Sequence, residues 1–232
     1  MNTPKKPGSP ITLQAPSTAL DYGQSDEDLA RADLYGLLSE LFGSPPSDQF
    51  FNRLAESPLV AADEPQAPLV EAWQSLVRKA SSLQPRVIRA EFDALFVAVG
   101  KPEVMANASF YLSGALNQQP LVDIREALDQ LGIERDPEAT ETEDHFAAVC
   151  EVMRFLVAGE VDERAQPGNL LLLQRDFFSN HLAPWVFDFL EMTQTHRSAD
   201  FYQDASVFAR SFLEVERQAF DIYASNQVGS DQ

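Results

Sequence analysis

Residues 140–159 read TETEDHFAAVCEVMRFLVAG. Phe146, Val149, Cys150, Met153, Phe155 and Leu156 recur every three or four positions, the spacing of one helix face, and Gly159 is suited to close the last turn. The Thr140-x-x-Glu143 spacing is that of a capping box, in which hydroxyl and carboxylate satisfy free backbone donors, so it predicts a helix start near Glu141. An acidic entrance to an apolar helix is therefore the first element of the fold.

Outward from this stretch the same texture continues. Leu29, Leu34, Leu37, Leu38, Leu41 and Phe42 step at helical spacing behind Ser25-Asp26-Glu27-Asp28, whose carboxylates suit the positive end of a helix, and Gly43 with Pro45-Pro46 stops it. After Pro68, Leu69, Trp73, Leu76 and Ala80 mark one apolar face. Pro85 can open the next helix, with Ile88, Phe92, Leu95, Phe96 and Val99 inward, before Gly100 and Pro102. Residues 103–119 read as a loop with one short helix. A helix from about Leu121 to Leu131 closes at Gly132. Beyond Pro167-Gly168, the run from Leu170 to Leu173 with Phe177 and Phe178 is helical, Pro184 sits in the first turn of a helix reaching about Thr195, and a last helix spans roughly 199–225. No period-two run and no hairpin turn signals a strand. The fold class expected is all-α: a single-domain bundle of eight to ten helices over 25–225, between a flexible, Pro-rich N-terminal tail (1–24) that offers little to a core and a C-terminal tail (226–232).

The 232 residues carry 36 Asp and Glu against 17 Lys and Arg, a net charge of -19, with 44% hydrophobic residues and 16 Phe. That apolar content excludes an acidic disordered chain, and the charge opposes binding to a phosphate backbone, so nucleic acid is not an expected partner. From Asp136 to Glu163 there are nine acidic residues and one basic one, Arg154. No secretory signal and no stretch able to span a bilayer is seen, so stable membrane insertion is not expected.

Catalytic groups are hard to assemble. The single cysteine, Cys150, lies on an apolar face, where a buried inert thiol is the expected state, and it excludes a disulfide within the chain and a cysteine zinc site. His145, His181 and His196 lack a Glu three residues upstream, so a di-iron bundle motif is absent. There is no phosphate loop, dinucleotide fingerprint or nucleophile elbow. On residues alone the chain reads as an acidic helical binding module, neither an enzyme nor a cofactor or metal carrier.

Four segments, in this order, resemble the TorD/DmsD/NarJ family of chaperones that assist maturation of molybdenum-cofactor oxidoreductases. These are Leu34-Tyr35-Gly36-Leu37-Leu38-Ser39-Glu40-Leu41-Phe42 before Pro45-Pro46; Glu91-Phe92-Asp93-Ala94-Leu95-Phe96 followed by Ser109-Phe110-Tyr111-Leu112; Glu141-Thr142-Glu143-Asp144-His145; and Phe177-Phe178-x-x-His181-Leu182-x-Pro184-Trp185. Thr142 stands where the family often has proline. The resemblance implies a cytoplasmic, non-catalytic chaperone that binds the twin-arginine signal peptide, the body, or both, of a molybdoenzyme precursor until its cofactor is inserted. Clients of the dimethyl sulfoxide, trimethylamine N-oxide and formate types share these motifs. It also implies a monomer or a helix-swapped dimer, with residues 132–140 as a possible hinge.

A peptide with two guanidinium groups beside an apolar stretch needs carboxylates next to apolar surface. The expected contributors are Glu141, Glu143 and Asp144 for the arginines, His145 to orient Asp144, and Phe96, Tyr111, Phe146 and Trp185 for the apolar part. On this reading Asp144→Asn with His145→Ala weakens peptide binding without unfolding the protein. The alternative is an acidic helical regulatory or scaffold protein with a basic partner. A nucleotide-dependent enzyme is disfavoured by the missing phosphate loop.

Overall fold

In the computed structural model, residues 13–14, 24–59, 67–97, 102–137, 139–161 and 170–230 are described. They fall into two compact units, one from Met1–Ser44 and Asn107–Leu182, the other from Pro45–Ala106 and Ala183–Gln232. Both are helical, as the periodicities require. Val99, Gly100 and the Pro167-Gly168 linker lie outside the described residues.

In the first unit, α1 (Asp26–Gly43) begins at Ser25, which forms a full capping box with Asp28. It lies against α7 (Phe146–Ala158). Small residues allow close approach, since a Cβ on Gly43 would stand 3.1 Å from the Ala147 Cβ. Tyr35, Leu38, Leu41 and Phe42 are buried, as are Phe146, Val149, Cys150 and Met153, and the Phe42 and Phe146 rings meet edge-on at 5.2 Å. Each such side chain stabilises the core by about 1.5–3 kcal/mol. The unit is completed by α5 (Ala108–Ser113), α6 (Gln119–Leu131), α8 (Leu170–Phe177) and a π-helical turn, Phe178–Leu182. Gly132 and Gly159 take φ of 68° and 73°, the left-handed conformation that lets Ile133 and Glu160 return their N–H groups to Leu128 and Phe155.

In the second unit, α10 (Phe201–Ser230) packs on α3 (Pro68–Ser82) and α9 (Ala183–Thr195). An aromatic core joins Trp73 to Phe208 at 5.4 Å, Phe96 to Tyr202 at 5.1 Å and Trp185 to Phe189 at 6.1 Å. Here α4 (Pro85–Phe92) runs into a second π-helical turn, Asp93–Val97. The extra residue in that turn rotates the face, so Leu95 is buried but Phe96 only half-buried.

Four expectations change. The helix expected from Glu141 starts instead at Phe146, because Thr142 and Asp144 bond to each other and to the backbone of a turn. A helix passed over by the sequence reading, α2 (Asp48–Ala55), is capped by the Ser47 side chain and buries Phe50, Phe51 and Leu54. The last helix runs to Ser230, beyond the expected end near 225. Finally, a two-residue antiparallel ladder is present: β1 (Leu13–Gln14) pairs with β2 (Glu134–Arg135), and Leu13 is buried. Leu13, placed by the sequence in a tail with little to offer a core, thus contributes to it.

Candidate functional site

The acidic motif forms a turn pinned to the start of α5. Asp144 is 1% exposed. Its Oδ2 accepts the Ser109 N–H at 2.9 Å, its Oδ1 accepts the Thr142 hydroxyl at 2.5 Å and the Asn107 amide at 3.3 Å, and its backbone carbonyl accepts the Ala108 N–H at 2.9 Å. The first turn of α5 has free N–H groups, and a carboxylate from elsewhere in the chain satisfies one of them. Burial by itself would raise the Asp144 pKa. The donors from Ser109, Thr142 and Asn107 more than offset it, so the carboxyl titrates below its ordinary value.

His145 is the N-cap of α7: its Nδ1 accepts the Ala147 N–H at 3.2 Å, and its backbone forms a bridge with Asn107. Burial pushes its pKa down to about 4 against the pull of Asp144, so the ring is neutral at pH 7 and its Nδ1 lone pair stays available.

The other two acids are placed differently. Glu143 Oε2 accepts from Arg125 Nη2 on α6 at 3.0 Å, and the Arg125 side chain is 51% exposed. Glu141 is half-buried; burial raises its pKa, Arg135 opposes this, and Asp144 adds to it. The Arg135 guanidinium donates to the carbonyls of Ala139 at 2.5 Å and Glu141 at 2.9 Å, which fixes the entrance to the acidic run.

Of the sequence-derived candidates, the first unit brings together Glu141, Glu143, Asp144, His145 and Phe146 around α5, which carries the half-buried Tyr111. Phe146 is core. Phe96 and Trp185 belong to the second unit, where both contact Phe189. Arg125, Arg135, Asn107 and Ser109 were missed as partners of the motif. Only Ser109 carried a signal, its place in the Ser-x-Tyr loop, since pairing across 35 positions leaves no periodicity. Exposed apolar side chains flank this region in α5, the loop after it and α6: Leu112, Leu116 and Val122. Cys150 is fully buried, and burial holds its thiol well above the ordinary value. Among the described residues no group of His, Cys, Asp and Glu is arranged to hold a metal ion, and no helix is long and apolar enough to cross a membrane.

A buried carboxylate cap, a half-buried Glu141, a Glu143 covered by Arg125 and neighbouring apolar side chains define a helical protein with a built acidic turn. The family model described as the nitrate reductase delta subunit matches residues 62–191, more than half of the chain, and the chain belongs to this family, that of TorD and NarJ. Among curated relatives it is similar to the chaperone protein TorD of Vibrio cholerae, 28% identical over 204 residues that cover 82% of this chain and 92% of the relative. It is likewise similar to TorD of Aliivibrio salmonicida, at 25% identity with 80% and 92% covered, and to TorD of Vibrio parahaemolyticus, at 24% with the same coverage.

Proposed function

We propose that this protein is a non-catalytic maturation chaperone of the cytoplasm. It binds the twin-arginine signal peptide, and the body, of a molybdenum-cofactor oxidoreductase precursor before cofactor insertion and export. Family membership supports the chaperone role. The observation that carries the peptide-binding part is the junction of Asp144 with α5, which holds the half-buried Glu141, the Arg125-covered Glu143 and exposed apolar side chains in one unit.

The roles divide by what covers each acid. Glu141, half-buried, and Glu143, buried beneath Arg125, receive the guanidinium groups; the half-exposed Arg125 is exchanged for a guest arginine. Tyr111 and the exposed Leu112 meet the apolar stretch. Asp144, His145 and Phe146 hold the turn, and Phe96 and Trp185 hold the aromatic core of the second unit. With Asp144 and His145 buried as helix caps, the double variant Asp144→Asn with His145→Ala acts on folding, so the binding test moves to the two glutamates.

Titration calorimetry with a peptide bearing Arg-Arg before an apolar segment checks this. Glu141→Gln with Glu143→Gln is expected to weaken binding about 10-fold or more, the scale of one or two charge-assisted hydrogen bonds. Affinity is also expected to fall as salt is added. Equal affinity for wild type and double variant overturns the assignment, and co-purification of a signal-bearing precursor from the native host identifies the client.

A further inference from the structure

The ladder of β1 on β2 is small and oddly placed. Among the described residues two pairs, Leu13 with Arg135 and Gln14 with Glu134, form the ladder; Leu13 is only 4% exposed and β1 also touches α7. A strand edge with an apolar socket beside it is what an extended peptide uses to add itself to a protein: backbone bonds give affinity and the socket selects a side chain. The edge is tied to the acidic turn through Arg135, whose backbone is in β2 and whose guanidinium holds the Glu141 carbonyl at 2.9 Å. In the sequence, Lys5-Lys6 precede Ile11 and Leu13, the same order of paired cations and then apolar residues that a twin-arginine peptide presents.

We infer that the edge of Glu134–Arg135 with the Leu13 socket is an acceptor site for the extended apolar part of a client signal peptide, occupied in the free protein by residues 13–14 of its own chain. This rests on the signal-peptide reading above. Burying one leucine contributes roughly 2 kcal/mol and a hydrogen bond about 1 kcal/mol, opposed by the entropy of ordering the segment, so the occupant is displaceable. A guest that needs the vacated edge binds with an apparent affinity reduced by the fraction of molecules already open.

The test uses the full chain in three forms with a peptide bearing Arg-Arg before an apolar segment. Leu13→Asp puts a charge at the socket and releases the occupant, and is expected to tighten peptide binding about 3- to 10-fold. Gln14→Cys with Glu134→Cys joins residues that face each other in the ladder, and under oxidation is expected to weaken binding about 10-fold, with recovery on reduction. Peptide binding that is the same for wild type, Leu13→Asp and the oxidised pair overturns the acceptor site and leaves the signal-peptide reading standing. Absence of binding to every form, Leu13→Asp included, overturns the signal-peptide reading itself. A Leu13→Asp chain that binds more weakly than wild type, with unchanged melting, shows that Leu13 aids the guest and also overturns the inference.

Discussion

Each of the two units contains a motif carboxylate used in the same way but embedded differently. In the first, Asp144 caps α5, a helix of six residues, and shares its oxygens among a backbone N–H, a hydroxyl and an amide. In the second, Glu91 sits on α4 and receives only backbone N–H groups, those of Asp200 at 2.8 Å, Phe201 at 3.1 Å and Tyr202 at 2.8 Å, at the start of the thirty-residue α10. Side-chain donors can turn, and a hydroxyl can become an acceptor, so the Asp144 cluster tolerates an altered partner. Backbone donors cannot turn. The difference teaches that acids of a family motif can be committed to helix starts: Asp144 and Glu91 both are, and of Glu141, Glu143 and Asp144 only Glu141 stays half-buried.

The comparison can be broken at several points. The largest effect is expected for Glu91→Ala, which leaves three N–H groups, two of them buried, without their acceptor; a loss of about 3 kcal/mol in urea unfolding is the expected result. A loss below about 1 kcal/mol removes the distinction between the two caps. Asp144→Asn keeps one carbonyl oxygen for the Ser109 N–H and is expected to cost less, about 1–2 kcal/mol at pH 7.

The acid limb sharpens it further. The folded pKa of Asp144 lies below its ordinary 3.8, so its stabilisation is present above that value and is lost as pH falls through the folded one. Asp144→Asn is expected to flatten that part of the unfolding curve. His145 acts over a higher window: its folded pKa of about 4 is below the ordinary 6.5, so the unfolded chain takes up the proton first. Stability that is complete above 6.5 therefore declines as pH falls from 6.5 toward 4. His145→Asn keeps an N-cap acceptor, is expected to cost under about 1 kcal/mol at pH 7, and removes the slope in that window. Persistence of the slope assigns it to other groups. The smallest effect on stability is expected for Arg125→Gln, within about 0.5 kcal/mol because the Arg125 end of the pair, though not Glu143, is half-exposed. The same change frees Glu143, so on the proposed function it raises affinity for the twin-arginine peptide severalfold, measured by calorimetry.

Where a side chain's role follows from its own helix, the sequence is a sufficient guide. The periodicities of α1, α3, α6 and α7 appear in the structure with their buried faces, and Gly132 and Gly159 close helices as read. Roles set by partners far along the chain were not legible. Nothing local shows that Glu91 belongs to a helix beginning 110 positions later, or Asp144 to one 35 positions earlier. The Thr140-x-x-Glu143 spacing misled because Thr142 and Asp144 bond within their own turn, a competition that spacing cannot rank. The π-helical turn at Asp93–Val97 likewise shifted Phe96 off the expected face. The acidic run was visible, but the burial of Glu143 and Asp144 depends on Arg125, Asn107 and Ser109.

Each unit draws on two separated stretches of chain, and this sets an order during synthesis. The first unit is complete once Leu182 has left the ribosome, whereas the second unit's earlier stretch, Pro45–Ala106, lacks α9 and α10 until the chain's end. At typical elongation rates, that stretch waits roughly 4–15 s between the emergence of Ala106 and that of Ala183. During that interval Glu91 and the aromatic residues of α3 and α4 are without the helices that enclose them, so a nascent chain of this protein is itself in need of protection before it can give any.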